Sequence, residues 1–176
     1  MAAIIASGIV PVAIEFMDRP CIEATEAFAK AGYPMCEALL IVEVEGSEDE
    51  IEYLLEKIED IAQDYNPTSV RRSQSAEESA LIWKGRKAAF GAIGQISDYM
   101  CMDGVIPLSA LPEALNGVSL ICRKYRFDVA NIFHAGDGNL HPLILYDANI
   151  PGELERTEEF GGKILELCVE VGGTIT

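Results

Sequence analysis

A chain of 176 residues with 49% hydrophobic side chains is long enough for one domain with a sizeable core, and too apolar to be disordered. A formal charge of -16 at pH 7 argues against nucleic acid and anionic membrane surfaces as partners, since both want basic patches; small anionic substrates stay open. Five cysteines, an odd number without Cys-x-x-Cys spacing, read as reduced thiols of a cytoplasmic protein.

Met1 to Gly8 reads as the end of a helix stopped by glycine. The apolar run that follows has no basic leader and reads on into Glu15, so Val12–Met17 is predicted as a short buried strand and not as part of a signal peptide. Pro20–Ala31 is a helix, with proline at its start and Gly32 past its end. Ala38–Glu45 is a strong strand. Ser47 and Glu50 form a capping box for a helix whose Ile51, Leu54, Leu55, Ile58, Ile61 and Ala62 keep helical spacing, and Pro67 ends it. Thr68–Arg72 is a candidate third strand. Ser75 and Glu78 cap a second long helix reaching about Ile96, in which Gly85, Gly91 and Gly94 mark either close packing or a break. Met102–Leu108 reads as a strand and Ser109–Tyr125 as a helix with Pro112 in its first turn. Phe127–Ala135 and Leu140–Tyr146 are the arms of a hairpin. Pro151–Val171 is a last amphipathic helix with Leu154, Ile164, Leu165 and Cys168 on one face, and Gly172-Gly173 turns into a new strand. The mixture predicts an α+β fold, ferredoxin-like, with a mostly antiparallel sheet and helices packed on one face. No Gly-rich phosphate loop is present.

The most informative run is His134-Ala-Gly-Asp-Gly-Asn-Leu-His141, which holds both histidines of the chain. Asp137-Gly138 favours a two-residue type I′ turn. That turn places Asn139 opposite Gly136 and His141 opposite His134, on one sheet face with Cβ atoms about 4.5–5.5 Å apart. Two imidazoles so placed draw half of a metal site; the alternative is two core histidines satisfied by hydrogen bonds. The residues name no third ligand, since Asp137 sits at the tip and points elsewhere. Pro142 lacks a donor and marks the second arm as an edge or bulge. In the cationic run Trp83-Lys-Gly-Arg86-Lys87, Arg86 offers a fork for a substrate carboxylate, against the alternative of a solvated helix face. Tyr99 and Asp103 read as turn or cap residues.

The run HAGDGNLHP (134–142) resembles the signature of the C-terminal domain of FAD-linked oxidases of the vanillyl-alcohol-oxidase type, a family that includes D-lactate dehydrogenases and the flavin subunit of bacterial glycolate oxidase. Glu15-Phe-Met-Asp18, Trp83 with Arg86, Asp103 to Pro107 followed by Leu111-Pro-Glu113, and Gly161-Gly-Lys163 onward to Thr174 are similar too. Tyr99-Met-Cys-Met-Asp-Gly104 and the stretch from His141 to Asn149 resemble the glycolate oxidase subunit in particular.

The resemblance implies a fragment of a larger flavoprotein. In such an enzyme a separate N-terminal domain binds FAD, and residues 1–176 belong to the cap that supplies substrate contacts. It implies His134 and His141 as ligands of a divalent metal, zinc or manganese, with a further ligand and the catalytic base in a Gly-Glu-His-Gly segment beyond Thr176. No catalytic residue is then expected within the chain, and the isolated chain is expected to be inactive. Arg86 would hold the substrate carboxylate and Asn139 would be a polar contact. Cys101 stands where some relatives are basic, which favours a small monocarboxylate, glycolate or D-lactate, oxidised to the 2-oxo acid. Leu108 stands where many relatives have arginine. Electrons would leave to other oxidase subunits or a quinone-linked acceptor, with the protein cytoplasmic or peripheral at the inner membrane. Two other readings compete: a stand-alone ferredoxin-like module binding a metal or small acid without catalysis, and an oligomerisation domain. Exposed apolar surface is expected to drive dimerisation of the chain.

Overall fold

In the computed structural model, which describes all 176 residues, strand β1 (Ala13–Asp18) is the one around which the sheet is organised. It pairs antiparallel with β2 (Ala38–Glu43) on one side and with β5 (Asp128–His134) on the other. The first half of β5 pairs with β7 (Pro142–Tyr146), which carries β3 (Asp98–Cys101) at its far edge. The end of β5 pairs instead with β6 (Asn139–Leu140), which leads on to β4 (Gly104–Val105) and β8 (Thr174–Ile175). The sheet therefore forks between Leu140 and Pro142. Every pairing is antiparallel, in keeping with the α+β class.

Alternation along β1 decides what lies on each face. Met17 points to a cluster with α2 (Arg19–Ala29) and α4 (Ala76–Ile93), joined by Ala130, Ile132 and Leu143. Ile14 and Phe16 point the other way, towards α1 (Ala2–Ala6), α3 (Glu48–Gln63), α5 (Leu111–Tyr125) and α6 (Glu153–Glu170), with Phe133 and Leu140. Phe16 and Phe133 stack there at 4.5 Å between ring centroids. Helices thus cover both faces, where one covered face was expected. The reason is that β1 and β5 are apolar at odd and even positions alike, the pattern of strands buried on both sides.

Local chemistry accounts for the helix ends. Asp18 caps α2 through Cys21 N at 3.3 Å, and its second oxygen accepts from Asn131 N and Nδ2 at 2.7 and 2.8 Å, tying the helix start to β5. Ser47 and Glu50 form the reciprocal capping box of α3. At α4 Ser75 accepts from Glu78 N, but the Glu78 carboxylate turns back to Gln74 N, one residue earlier than a capping box requires. Gly85 marks close packing and no break: α4 runs unbroken through it, and a Cβ there would lie 2.5 Å from the Ala31 Cβ.

Three expectations are corrected. Thr68–Arg72 is not a strand; the segment is held along α3 by Arg72, which pairs with Glu52 at 2.7 Å and with Glu59 at 2.9 Å. The strand expected over Met102–Leu108 shrinks to β4, and the longer strand is β3, just before it. Leu108–Ala110 is a 3-10 turn leading into α5. On α6 the buried stripe is Thr157, Phe160, Gly161, Ile164 and Cys168, with Leu154 exposed.

Candidate functional site

The site lies where the sheet forks. His134 ends β5, and Ala135–Gly138 form a four-residue loop that returns the chain so that His134 faces Asn139. His141 falls in the one-residue gap between β6 and β7, where its carbonyl meets Ile132 N at 3.5 Å. The two histidines are therefore diagonal and not directly opposed. The expected register is off by two residues, and a shift of two preserves the face. The rings meet edge to face, 5.3 Å between centroids. A type I′ turn needs φ > 0 at both central residues, and in this loop only Gly138 has it, at +73°. The loop is instead held by its neighbours: Gly136 N donates to Ile14 O at 3.0 Å, and Ile106 N donates to Gly138 O at 2.9 Å.

The β1–β5 register sets Glu15 directly across from His134. Glu15 Oε1 lies 2.8 Å from His134 Nδ1. The other carboxylate oxygen accepts from Arg86 Nε at 3.0 Å and lies 2.8 Å from Nη2. Both side chains of this ion pair are 7% exposed. Arg86 reaches it from α4, one residue after the close contact at Gly85. His141 Nε2 faces Asp103 Oδ1 at 3.5 Å, too long for a hydrogen bond, and the Phe90 ring meets His141 edge-on at 5.9 Å. Burial pushes the His141 pKa below its ordinary value, with Asp103 opposing, so the ring is neutral and keeps a lone pair.

Five buried side-chain polar atoms in the molecule lack a hydrogen-bond partner, and four of them belong here: Asp103 Oδ1, Asn139 Oδ1, His141 Nδ1, and Arg86 Nη2, which lies against Glu15 as an ion pair without hydrogen-bond alignment. Buried donors and acceptors are rarely left unmade unless something else completes them. The arrangement can therefore take a small polar ligand: Arg86 suits an anion, the neutral His141 and Asn139 suit a donor or a cation. His134 and His141 are brought together, and Arg86 and Asn139 flank them. The chain assembles no group of three His, Cys, Asp or Glu side chains able to hold a metal by themselves.

Two residues of the site carried little signal in the sequence. Glu15 read as the end of an apolar run; the clue is a lone acid inside a strand, on the same side as the core residue Met17. Asp103 read as a turn residue, and only the fold brings it to His141. Arg86 is not a solvated cation: it is 6% exposed and already paired with Glu15.

Comparison with known proteins bears on what this site belongs to. The family "FAD linked oxidases, C-terminal domain" matches residues 1–176. Glycolate oxidase subunit GlcD of Escherichia coli K12 is 53% identical over 98% of the chain, which covers 35% of that protein. GlcD of Bacillus subtilis is 34% identical over 98% of the chain, covering 37% of it. A probable mitochondrial D-lactate dehydrogenase of Danio rerio is 28% identical over 95% of the chain, covering 34% of it. The chain thus spans about a third of the length of the curated relatives it matches. Among solved structures, p-cresol methylhydroxylase with substrate bound shares the fold with a TM-score of 0.65 at 14% identity, over 93% of this chain and 38% of that one. With the family matched from first residue to last, the chain belongs to the C-terminal domain family of FAD-linked oxidases.

Proposed function

We propose that this chain is the substrate-side part of an FAD-dependent oxidase or dehydrogenase that converts a small 2-hydroxy acid, glycolate or D-lactate, to the 2-oxo acid. The observation that carries this reading is the set of buried atoms of Asn139, Asp103 and His141 left without a hydrogen bond, beside the buried Arg86–Glu15 pair and two imidazoles. The identity to GlcD supports the substrate class.

Arg86 binds the substrate carboxylate. Its Nε edge is taken by Glu15, and its remaining N–H groups form a second fork. Asn139 orients the substrate beside it. Cys101, exposed at the end of β3, adds no second cation, in keeping with a monocarboxylate. FAD, held mainly by a part of the intact enzyme outside these residues, supplies the acceptor for the substrate's electrons. The base that takes the hydroxyl proton also lies outside them.

His134 and His141 fit a divalent metal, zinc or manganese, in kind: both are imidazoles, His141 is held neutral, and His134 has a carboxylate on its second nitrogen. In number they make half a shell, so further donors come from elsewhere in the intact enzyme. Such an ion, when bound, supplies Lewis acidity towards the substrate oxygens. The electrons pass on to other oxidase subunits or a quinone-linked acceptor. No helix is long and apolar enough to cross a membrane; we place the protein in the cytoplasm, with any membrane association peripheral, which suits five unpaired cysteines.

Anaerobic mixing of the intact flavoprotein with glycolate, D-lactate and a 2-hydroxy dicarboxylate tests this. The two monocarboxylates are expected to bleach the oxidised flavin, and Arg86→Lys to raise their KM about 10- to 100-fold through loss of a charge-assisted bidentate contact. A flavin that no 2-hydroxy acid reduces, or an Arg86→Lys enzyme with unchanged KM, contradicts it.

A further inference from the structure

Glu15 is a buried acid in the middle of the sheet, 5% exposed, with both carboxylate oxygens engaged. One meets His134 Nδ1 at 2.8 Å, and the other takes Arg86 by the Nε edge of its guanidinium. A carboxylate so deep is tolerated only when paired and hydrogen-bonded. Its place is fixed by backbone: Glu15 and His134 are register partners on adjacent strands, so their separation follows from sheet geometry. Arg86 is fixed just as firmly, because Gly85 brings α4 into contact with Ala31 and Tyr33.

This placement dictates chemistry at two atoms. An ionised carboxylate accepts and cannot donate, so the nitrogen facing it must carry the proton. The neutral His134 ring is then the Nδ1–H tautomer, with the lone pair on Nε2. Glu15 also occupies the inner edge of Arg86 and leaves the outer fork for an anion. One side chain thereby prepares the two groups that the functional reading assigns to different parts of the ligand.

We infer that Glu15 is the positioning residue of this site: it selects the His134 tautomer that presents Nε2 as an electron-pair donor, and it holds Arg86 with its outer fork towards the substrate carboxylate. The inference rests on the reading above that His134 is a ligand and Arg86 an anion holder. Glu15 itself touches neither substrate nor cofactor, so it is not a catalytic residue.

The two histidines make the test direct. Long-range 15N–1H correlation spectra of the 15N-histidine-labelled chain, treated with a chelator and held at neutral pH, report which nitrogen of each ring is protonated. In the unsubstituted chain His134 is expected as Nδ1–H. In Glu15→Gln, whose amide can donate or accept, a mixture with Nε2–H is expected, and Glu15→Asp is expected to restore the Nδ1–H form in part. Zinc titration of the same samples is expected to show about 10- to 100-fold weaker binding for Glu15→Gln, the range for loss of an outer-shell partner. An unsubstituted chain with His134 as Nε2–H overturns the inference, and that spectrum decides even if Glu15→Gln does not fold. An unchanged tautomer in a folded Glu15→Gln overturns it as well. Failure of the ligand reading looks different: the intact flavoprotein, which holds the remaining donors, then retains no more zinc than its His134→Ala/His141→Ala variant, while the tautomer spectrum still reports on Glu15.

Discussion

His141 is the more enclosed of the two imidazoles, with a side chain 12% exposed against 43% for His134. Its pKa is depressed by burial, so the unfolded chain binds a proton there more tightly than the folded one. The stability this group contributes is in full force above its ordinary value of 6.5 and is lost as the pH falls through its lower folded value. Proton NMR titration of the chelator-treated chain should give His141 a midpoint below 6.5; a midpoint at or above it contradicts the burial argument. Cys101 gives a second check. Though exposed in part, its thiol is pushed up to about 11 by burial and by Asp103. Only a small fraction is thiolate at pH 8, so iodoacetamide should label it far more slowly than free cysteine. Labelling at the rate of free cysteine would contradict the assigned surroundings.

At the scale of elements, the loop between His134 and Asn139 depends on Gly138. A Cβ there would lie 2.1 Å from the Ile106 carbonyl oxygen, at a φ of +73° that side chains rarely adopt. Gly138→Ala should cost about 2 kcal/mol or more in urea unfolding, by strain and by displacement of the loop. A loss below about 0.5 kcal/mol would contradict that placement. Ser47→Ala, which removes the capping box of α3, should cost about 1 kcal/mol in the same assay. Elements with a strong local cause were legible in the sequence: the capping box, the β5–β7 hairpin, the strands β1 and β2. What could not be read depends on neighbours. The β3 strand exists because β7 offers it an edge, and the Asp137-Gly138 turn is overruled because Ile14 and Ile106 supply hydrogen bonds to a wider loop. The shared face of the two histidines survived because the register moved by an even number. Arg86 was legible as a cation of interest, whereas its bond to Glu15 joins residues 71 positions apart and needs the fold.

The whole molecule places its one buried cation–carboxylate pair beneath two histidines, in a chain of charge -16. That concentration of unpartnered buried groups at the fork of the sheet is hard to explain as packing alone. Apolar residues stay exposed elsewhere: β2 is an edge strand whose Leu40 is 43% exposed, and Val10 and Ile96 lie open at 91% and 66%. An unguarded apolar edge invites pairing. Light scattering of the chain should accordingly give a mass above the 19.1 kDa of one copy, and a clean monomer contradicts this. The role of the two histidines is tested most directly by metal content measured alongside 2-hydroxy-acid turnover in the intact flavoprotein and its His134→Ala variant. Zinc or manganese and turnover are expected to fall together. Full turnover in a metal-free His134→Ala enzyme would contradict that role.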